Sequence, residues 1–533
     1  MNDWTSGYVA ELDYTHDFFG ELAPSHLAFC ATLKGQKHGL HGEDLTYCEL
    51  GCGQGFSANL LAAANPHIQF HAMDFNPSHI TGARELATEA GLKNMHFHER
   101  SFEDFQSEPS LPDAFDVIAL HGVYSWVSRE NQKYILEFLS KRLKPGGLVY
   151  ISYNTQPGWA AALPLRRIMT DRAAQGSGPL HQRISEAIAW AQELNLTGAE
   201  YFAANPVVAK RLGKMDGMSQ NYLAHEFFNK DWTPFHFADI AEDLSQAKLS
   251  FLASSDPMAH VDDVCLSQSQ HEMLERESDP VRRQSLRDIL LNAQFRTDIF
   301  VRGKLRHTER GAIGAWFNVP LALARRYNGG SIILASRSGE EPLRRDQYEP
   351  LLAALKDGPQ TVRQLLDSGA FGNNTWAEIT RMLTLLIGAH HVIPCLQVEG
   401  FVERAEQCRR FNMAVCKRAE DSETLRFLAS PVTGSGIAFD RFEQLFLLAR
   451  SEGLSTPTEW AELAWQILAP QGQRLHVDGR ILETPEENLA VLRVRANAFA
   501  AQRLPLCESL GITLEPPSPE PHAQSQRQSQ SAA

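Results

Sequence analysis

The chain has 533 residues, 43% of them apolar and 21% charged, and a formal net charge of −14. That length exceeds what one hydrophobic core organises and implies about three or four domains. The acidic balance argues against a nucleic-acid surface, which needs clustered Lys and Arg, and no apolar run reaches the roughly 20 residues of a membrane helix.

Eight cysteines are scattered with no C-x-x-C pair, so they frame neither a zinc site nor a disulfide scaffold, and no metal is expected. The opening MNDWTSGYVAELDY carries no basic region followed by an apolar one, so a secretory signal is not expected. A cytoplasmic protein without membrane insertion is the expectation.

From residue 45 to 153 strand and helix signals alternate. Leu45–Leu50 is a short apolar run ending at a glycine cluster, 51–55, and a helix follows with Leu60, Leu61 and Ala64 on one face until Asn65-Pro66 stops it. Ile68–Asp74 reads as a second strand, Pro77 to Ala90 as a second helix closed by Gly91, and 95–98 as a third strand. Phe115–Leu120 is the fourth. A helix over 129–143 stops at Pro145-Gly146-Gly147, and 148–153 (LVYISY) is the fifth strand. Strands separated by helices of this length imply a parallel sheet covered on both faces.

Residues 160–224 carry helical patterns only. Then 235–246 reads as a helix, and 247–253 and Phe295–Arg302 read as strands, so 226–305 is expected to complete the first sheet around an inserted helical segment. Residues 1–310 thus form one unit with an insertion at about 160–224. Residues 311–400 are accessory, and 340–400 resemble a winged-helix arrangement. Residues 401–514 form a mixed C-terminal unit. The Pro-, Ser- and Gln-rich stretch 515–533 is expected to be disordered.

The informative motif is Glu49-Leu50-Gly51-Cys52-Gly53-Gln54-Gly55, an E-x-G-x-G-x-G loop between the first strand and the first helix. Gly51, Gly53 and Gly55 admit positive φ and close backbone approach, and the helix N-terminus after them suits a carboxylate. Glu49 is placed to face a cationic amino group. Asp74, ending the second strand, is placed to accept from both hydroxyls of a ribose. A dinucleotide fingerprint needs its third glycine at position 56, which is Phe56, and Glu49 would oppose a pyrophosphate. The set fits S-adenosylmethionine. Ser101 and Phe102, after the third strand, are candidates for the adenine, and Phe102 is equally suited to a core. His121 ends the fourth strand at the open edge where ligands bind in such sheets. Tyr124, Trp126, Tyr153, Asn154 and Trp159 crowd the same edge. The catalytic group is left open among His121, Tyr124 and Tyr153, with packing the plainer role for each.

With ELGCGQG, FHAMDFNP, HGVYSWV, LKPGG and YNTQPGW in this order, and YLAHEFFNKDWTPFHFADIAEDL later, the first 310 residues or so resemble bacterial methyltransferases that carry an appended regulatory domain. That group includes rickettsial protein-lysine methyltransferases. The resemblance implies a doubly wound, Rossmann-like class I α/β methyltransferase domain with a helical insertion, followed by mostly helical or mixed accessory domains. It implies S-adenosyl-L-methionine as cofactor and a protein or peptide side chain, such as lysine, as acceptor. A small-molecule acceptor and a non-catalytic S-adenosylmethionine-sensing role are the alternatives, and homo-oligomerisation is left open. Position 121–124 reads His-Gly-Val-Tyr where methyltransferases of DNA bases and glutamine amides carry (N/D)-P-P-(Y/F), so base or amide methylation is disfavoured.

Overall fold

The computed structural model describes residues 16–42, 44–336 and 339–515; the proposed tail beyond 515 and the first 15 residues lie outside it. In chain order, α1 (Pro24–Leu33) precedes β1 (Leu45–Leu50), α2 (Phe56–Ala64), β2 (Ile68–Asp74), α3 (Pro77–Glu89), β3 (Met95–Glu99), α4 (Phe102–Phe105), β4 (Phe115–Leu120), α5 (Arg129–Arg142) and β5 (Leu143–Asn154). After the insertion come β6 (Leu249–Ser254) and β7 (Phe295–Arg302). All seven strands join one sheet in the order β3-β2-β1-β4-β5-β7-β6. β1 to β5 run parallel, and β7 pairs antiparallel with both β5 and β6.

The period of two along β5 divides its side chains between two cores. Leu148 and Tyr150 enter the one that holds α2 and α3, while Val149, Ile151 and Tyr153 enter the one under α5. Burial on both faces explains why the parallel strands read as continuous apolar runs. Local signals fix the helix starts. The Asn76 side chain accepts from the Ser78 N–H with Pro77 at the first helical position, and Ser128 caps α5 through the Asn131 N–H.

Two boundaries differ from the sequence reading. Pro145-Gly146-Gly147 lies inside β5, because Gly146 at φ +81° lets the strand bulge where pairing jumps from Phe115–Leu143 to Val117–Leu148. β6 begins two residues later than its apolar run, since Lys248 turns the chain at φ +61°.

The insertion leaves and re-enters at adjacent points. Phe235 N donates to Asn154 O at 2.8 Å, and Gln156 N donates to Phe235 O at 2.9 Å. Between them the helices gather a separate apolar core around Trp159, Met169, Ile184, Phe202 and Leu223. The accessory segment expected to resemble a winged helix holds a small sheet that begins before residue 340. Its three-stranded sheet centres on Pro320–Leu323, flanked by Gln360–Thr361 and Val392–Pro394, and carries the helices Arg345–Ala354, Val362–Asp367 and Trp376–Gly388. The C-terminal unit packs the helix Phe401–Arg418 onto α2, with Gln407 donating to Ala62 O at 2.8 Å. Among the described residues, no helix is long and apolar enough to cross a membrane.

Candidate active site

The loop at the carboxyl end of β1 is tied to the end of β2. Gly51 N and Cys52 N both donate to Met73 O at 2.9 Å, and Gly53 N donates to Asp74 Oδ2 at 2.9 Å. Gly51, Gly53 and Gly55 have φ of +72°, +53° and +66°. Two of them also have no room for a side chain. A Cβ at Gly51 would lie 2.6 Å from Val123 Cγ2, and one at Gly55 would lie 2.5 Å from Ala83 Cβ. The loop therefore turns into α2 with its backbone against β4 and α3.

Two acids face this turn. Asp74 accepts from Gly53 N and, at 2.9 Å, from Asn76 N, and His79 Nδ1 lies 3.4 Å behind it. Glu49 is 5% exposed and its Oε2 has no hydrogen-bond partner. Burial, helped by the Asp74 charge, pushes its carboxyl up to about 8. A buried acceptor without a donor is costly, and a cationic amino group beside Glu49 would satisfy it. The residues present thus fit the methionine end of S-adenosylmethionine at Glu49 and its ribose at Asp74.

Ser101 caps α4, accepting from Asp104 N and donating to Asp104 Oδ2 at 2.8 Å. It and Phe102 border the same cavity as the loop. His121 borders it too. Its Nδ1 is 2.9 Å from the Tyr150 hydroxyl, its ring stacks on Phe19 at 3.6 Å between centroids, and Phe295 stands edge-on at 6.3 Å. Burial lowers the imidazole to about 3, so it is neutral at physiological pH.

The two tyrosine candidates are placed differently. Tyr124 and Tyr153 are fully buried and neither borders the cavity. The Tyr124 hydroxyl donates to Asp243 Oδ2 at 3.0 Å. That of Tyr153 donates to Asp298 Oδ2 at 2.6 Å, beside the ion pair of Asp298 with Arg296. Both rings pack the core under α5, so the acceptor role open to them in the sequence passes to other groups. Two residues that sequence reasoning missed belong here, Phe19 and Tyr150, and Asn154, expected at this edge, borders the cavity with a buried Nδ2 that has no partner. Phe19 lies in the DFFGELAP stretch, but stacking on His121 is a tertiary contact with no local signature.

The cavity occupies about 1690 Å³. It runs from the glycine loop past the ends of β4 and β5, and is walled by Trp159 and Glu226 of the insertion, Asp256 and Phe295 of the segment completing the sheet, and His390 of the winged-helix-like unit. A doubly wound sheet with this loop, this acid pair and this open edge defines a class I S-adenosylmethionine-dependent methyltransferase. Family models agree: residues 41–197 match a methyltransferase domain and 219–302 a predicted methyltransferase regulatory domain. The chain belongs to the family of Synechocystis protein sll1526, with which it is 40% identical over 510 residues, 96% of this chain and all of that one. Rickettsia prowazekii protein RP789 is 26% identical over 302 residues, covering 56% of this chain and 53% of that one. In fold the chain is similar to PKMT2 of Rickettsia typhi, solved in complex with AdoHcy, with a TM-score of 0.68 and 18% identity over 91% of this chain and 98% of that one.

Proposed function

We propose that this methyltransferase acts on a protein or peptide side chain, most plainly a lysine, presented at the carboxyl edge of β4 and β5. The observation that carries this reading is the cavity of about 1690 Å³, shared by four parts of the chain. Small-molecule sites usually occupy about 300–1,000 Å³, so a whole peptide segment fits better than a metabolite. The likeness to PKMT2 over nearly the full chain supports the same reading.

Gly51, Gly53 and Gly55 would admit the methionine end to the N-terminus of α2, with Glu49 receiving its amino group and Asp74 its ribose hydroxyls. Ser101 and Phe102 would border the adenine. The cofactor supplies an electrophilic methyl group on a sulfonium. The protein's task is then to position the nucleophile and exclude water. Neutral His121, hydrogen-bonded through Nδ1 to the Tyr150 hydroxyl, would orient polar atoms through Nε2 rather than act as a base. A lysine amine ordinarily titrates near ~10.4, and its desolvation among Phe19, Phe295 and Trp159 lowers that value toward the neutral form required for attack. We place the protein in a reducing compartment, supported by its eight unpaired cysteines.

Incubation with methyl-labelled cofactor and lysate fractions above and below a small-molecule cutoff tests the acceptor class. Label on lysine in the high-mass fraction is the expected result. Label confined to the low-mass fraction overturns the protein-acceptor reading.

A further inference from the structure

The residues following α1 and those following β7 meet in a short antiparallel seam. Gln36 bridges Arg306, Lys37 N donates to Leu305 O at 2.8 Å, and His307 N donates to Gly35 O at 2.8 Å. This pairing gathers Lys34, Lys37, Lys304 and Arg306, all exposed. Three of them, Lys34, Lys304 and Arg306, border the same cavity as the glycine loop.

Among the described residues none of the four is in an ion pair. The carboxylate acting on Lys34 is Asp262, which is already committed to Arg287, with Arg283 at 3.8 Å and His271 at 3.5 Å. Glu309, the acid nearest Arg306 in sequence, does not border the cavity. Within the group, Lys304 and Arg306 repel each other. Burial and then Arg306 lower the Lys304 ammonium, and burial lowers that of Lys34 despite Asp262. In a chain of net charge −14, exposed cations without an ion-pair partner among the described residues, at one wall of the cavity, run against the average composition. The repulsion between Lys304 and Arg306 costs free energy that an anionic ligand would return.

We propose that this seam docks the acidic flank of the protein substrate, holding Asp or Glu side chains beside the residue to be methylated. The proposal rests on the protein-acceptor reading above and specifies which sequences are accepted. A carboxylate-bearing segment is favoured over nucleic acid for two reasons. Four cations are few for a phosphate backbone, and the rest of the acidic surface repels one. Leu305, 60% exposed between Lys304 and Arg306, adds an apolar contact that a peptide can use.

The test uses the full chain and three fluorescent peptides with one central lysine, flanked by Asp and Glu, by Ser and Gly, or by Arg. Anisotropy and label transfer are measured for the wild type and for the triple variant Lys34→Gln, Lys304→Gln, Arg306→Gln. Calorimetry of S-adenosylmethionine and a melting curve control for folding. The wild type is expected to bind and methylate the acidic peptide best, with an advantage of roughly tenfold that shrinks with added salt. The variant should lose that advantage while its cofactor affinity stays. A charge-reversed variant, Lys304→Glu with Arg306→Glu, should turn the preference toward the Arg-flanked peptide. Methylation with the same ranking of peptides in all forms overturns the seam as a docking surface. So does tighter binding of a single-stranded oligonucleotide than of the acidic peptide. Salt-sensitive binding of the acidic peptide without label transfer keeps the docking surface and removes the lysine-acceptor reading instead.

Discussion

Glu49→Gln separates the cost of a functional group from its use. The Glu49 carboxyl is 5% exposed, has an unpartnered oxygen and is raised from 4.5 to about 8. Because the folded value lies above the unfolded one, the stabilising effect of its proton is fully present below 4.5 and is lost as pH rises through 8. Between those limits the unfolded chain ionises Glu49 and the folded one does not, a slope of about 1.4 kcal/mol per pH unit. The ligand-free wild type should therefore lose at most about 4 kcal/mol from pH 5 to pH 8 relative to Glu49→Gln, which has no proton to release. Cofactor binding should reverse the ranking. At pH 7 a carboxyl near 8 is about nine-tenths protonated, so pairing it with a cationic amino group expels close to one proton that the variant does not expel. Titration calorimetry in buffers of different ionisation enthalpy reads that proton, and denaturant melts over the same pH range read the stability. Parallel stability curves, together with equal proton release from both proteins, would refute the placement of Glu49 against the amino group.

Asp74→Ala removes the proposed ribose acceptor and leaves Gly53 N and Asn76 N without theirs, so cofactor affinity should fall by about a hundredfold or more, measured by calorimetry. Gly55→Ala forces a Cβ to 2.5 Å from Ala83 Cβ at φ +66°, and should lower stability by roughly 2 kcal/mol or more in a melt. Tyr124→Phe and Tyr153→Phe should leave turnover within about twofold while costing about 1–2 kcal/mol, since each removes one buried hydroxyl donor from a carboxylate. A turnover loss of a hundredfold in either would return that residue to the active site.

The parallel half of the sheet was legible because its central strands β1, β4 and β5 are buried on both faces and α3, α4 and α5 open with a side-chain cap. The glycine loop was legible for a stronger reason: positive φ at three alternate positions leaves few alternatives to glycine. β6 and β7 were read as strands completing the first sheet around a helical insertion, and they do; the meeting of Asn154 and Phe235 that closes the insertion is a tertiary contact no periodicity encodes. Tyr124 and Tyr153 looked like site residues because they sit at strand ends. The same alternation that brings Tyr150 to His121 sends Tyr153 to the opposite core. Phe19 and the cations of the seam were invisible for a related reason, since their meaning lies in partners far away along the chain.

α2 is buried over all nine of its residues, and the C-terminal unit supplies much of its cover. Asn65, just past its end, donates to Gly434 O at 2.9 Å, Gln407 reaches Ala62 O and Asn94 Oδ1, and one apolar core runs from Phe18 to Leu514. Residues 401–515 are thus the outer half of the wall against which the cofactor helix rests. A premature stop codon after the winged-helix-like unit would strip the apolar back of α2 and release the turn that begins at Gly51. A genetic lesion more than 300 residues from the glycine motif would then present as a failure to hold the methyl donor, and trimming this enzyme to its catalytic domain would reproduce that failure in the test tube.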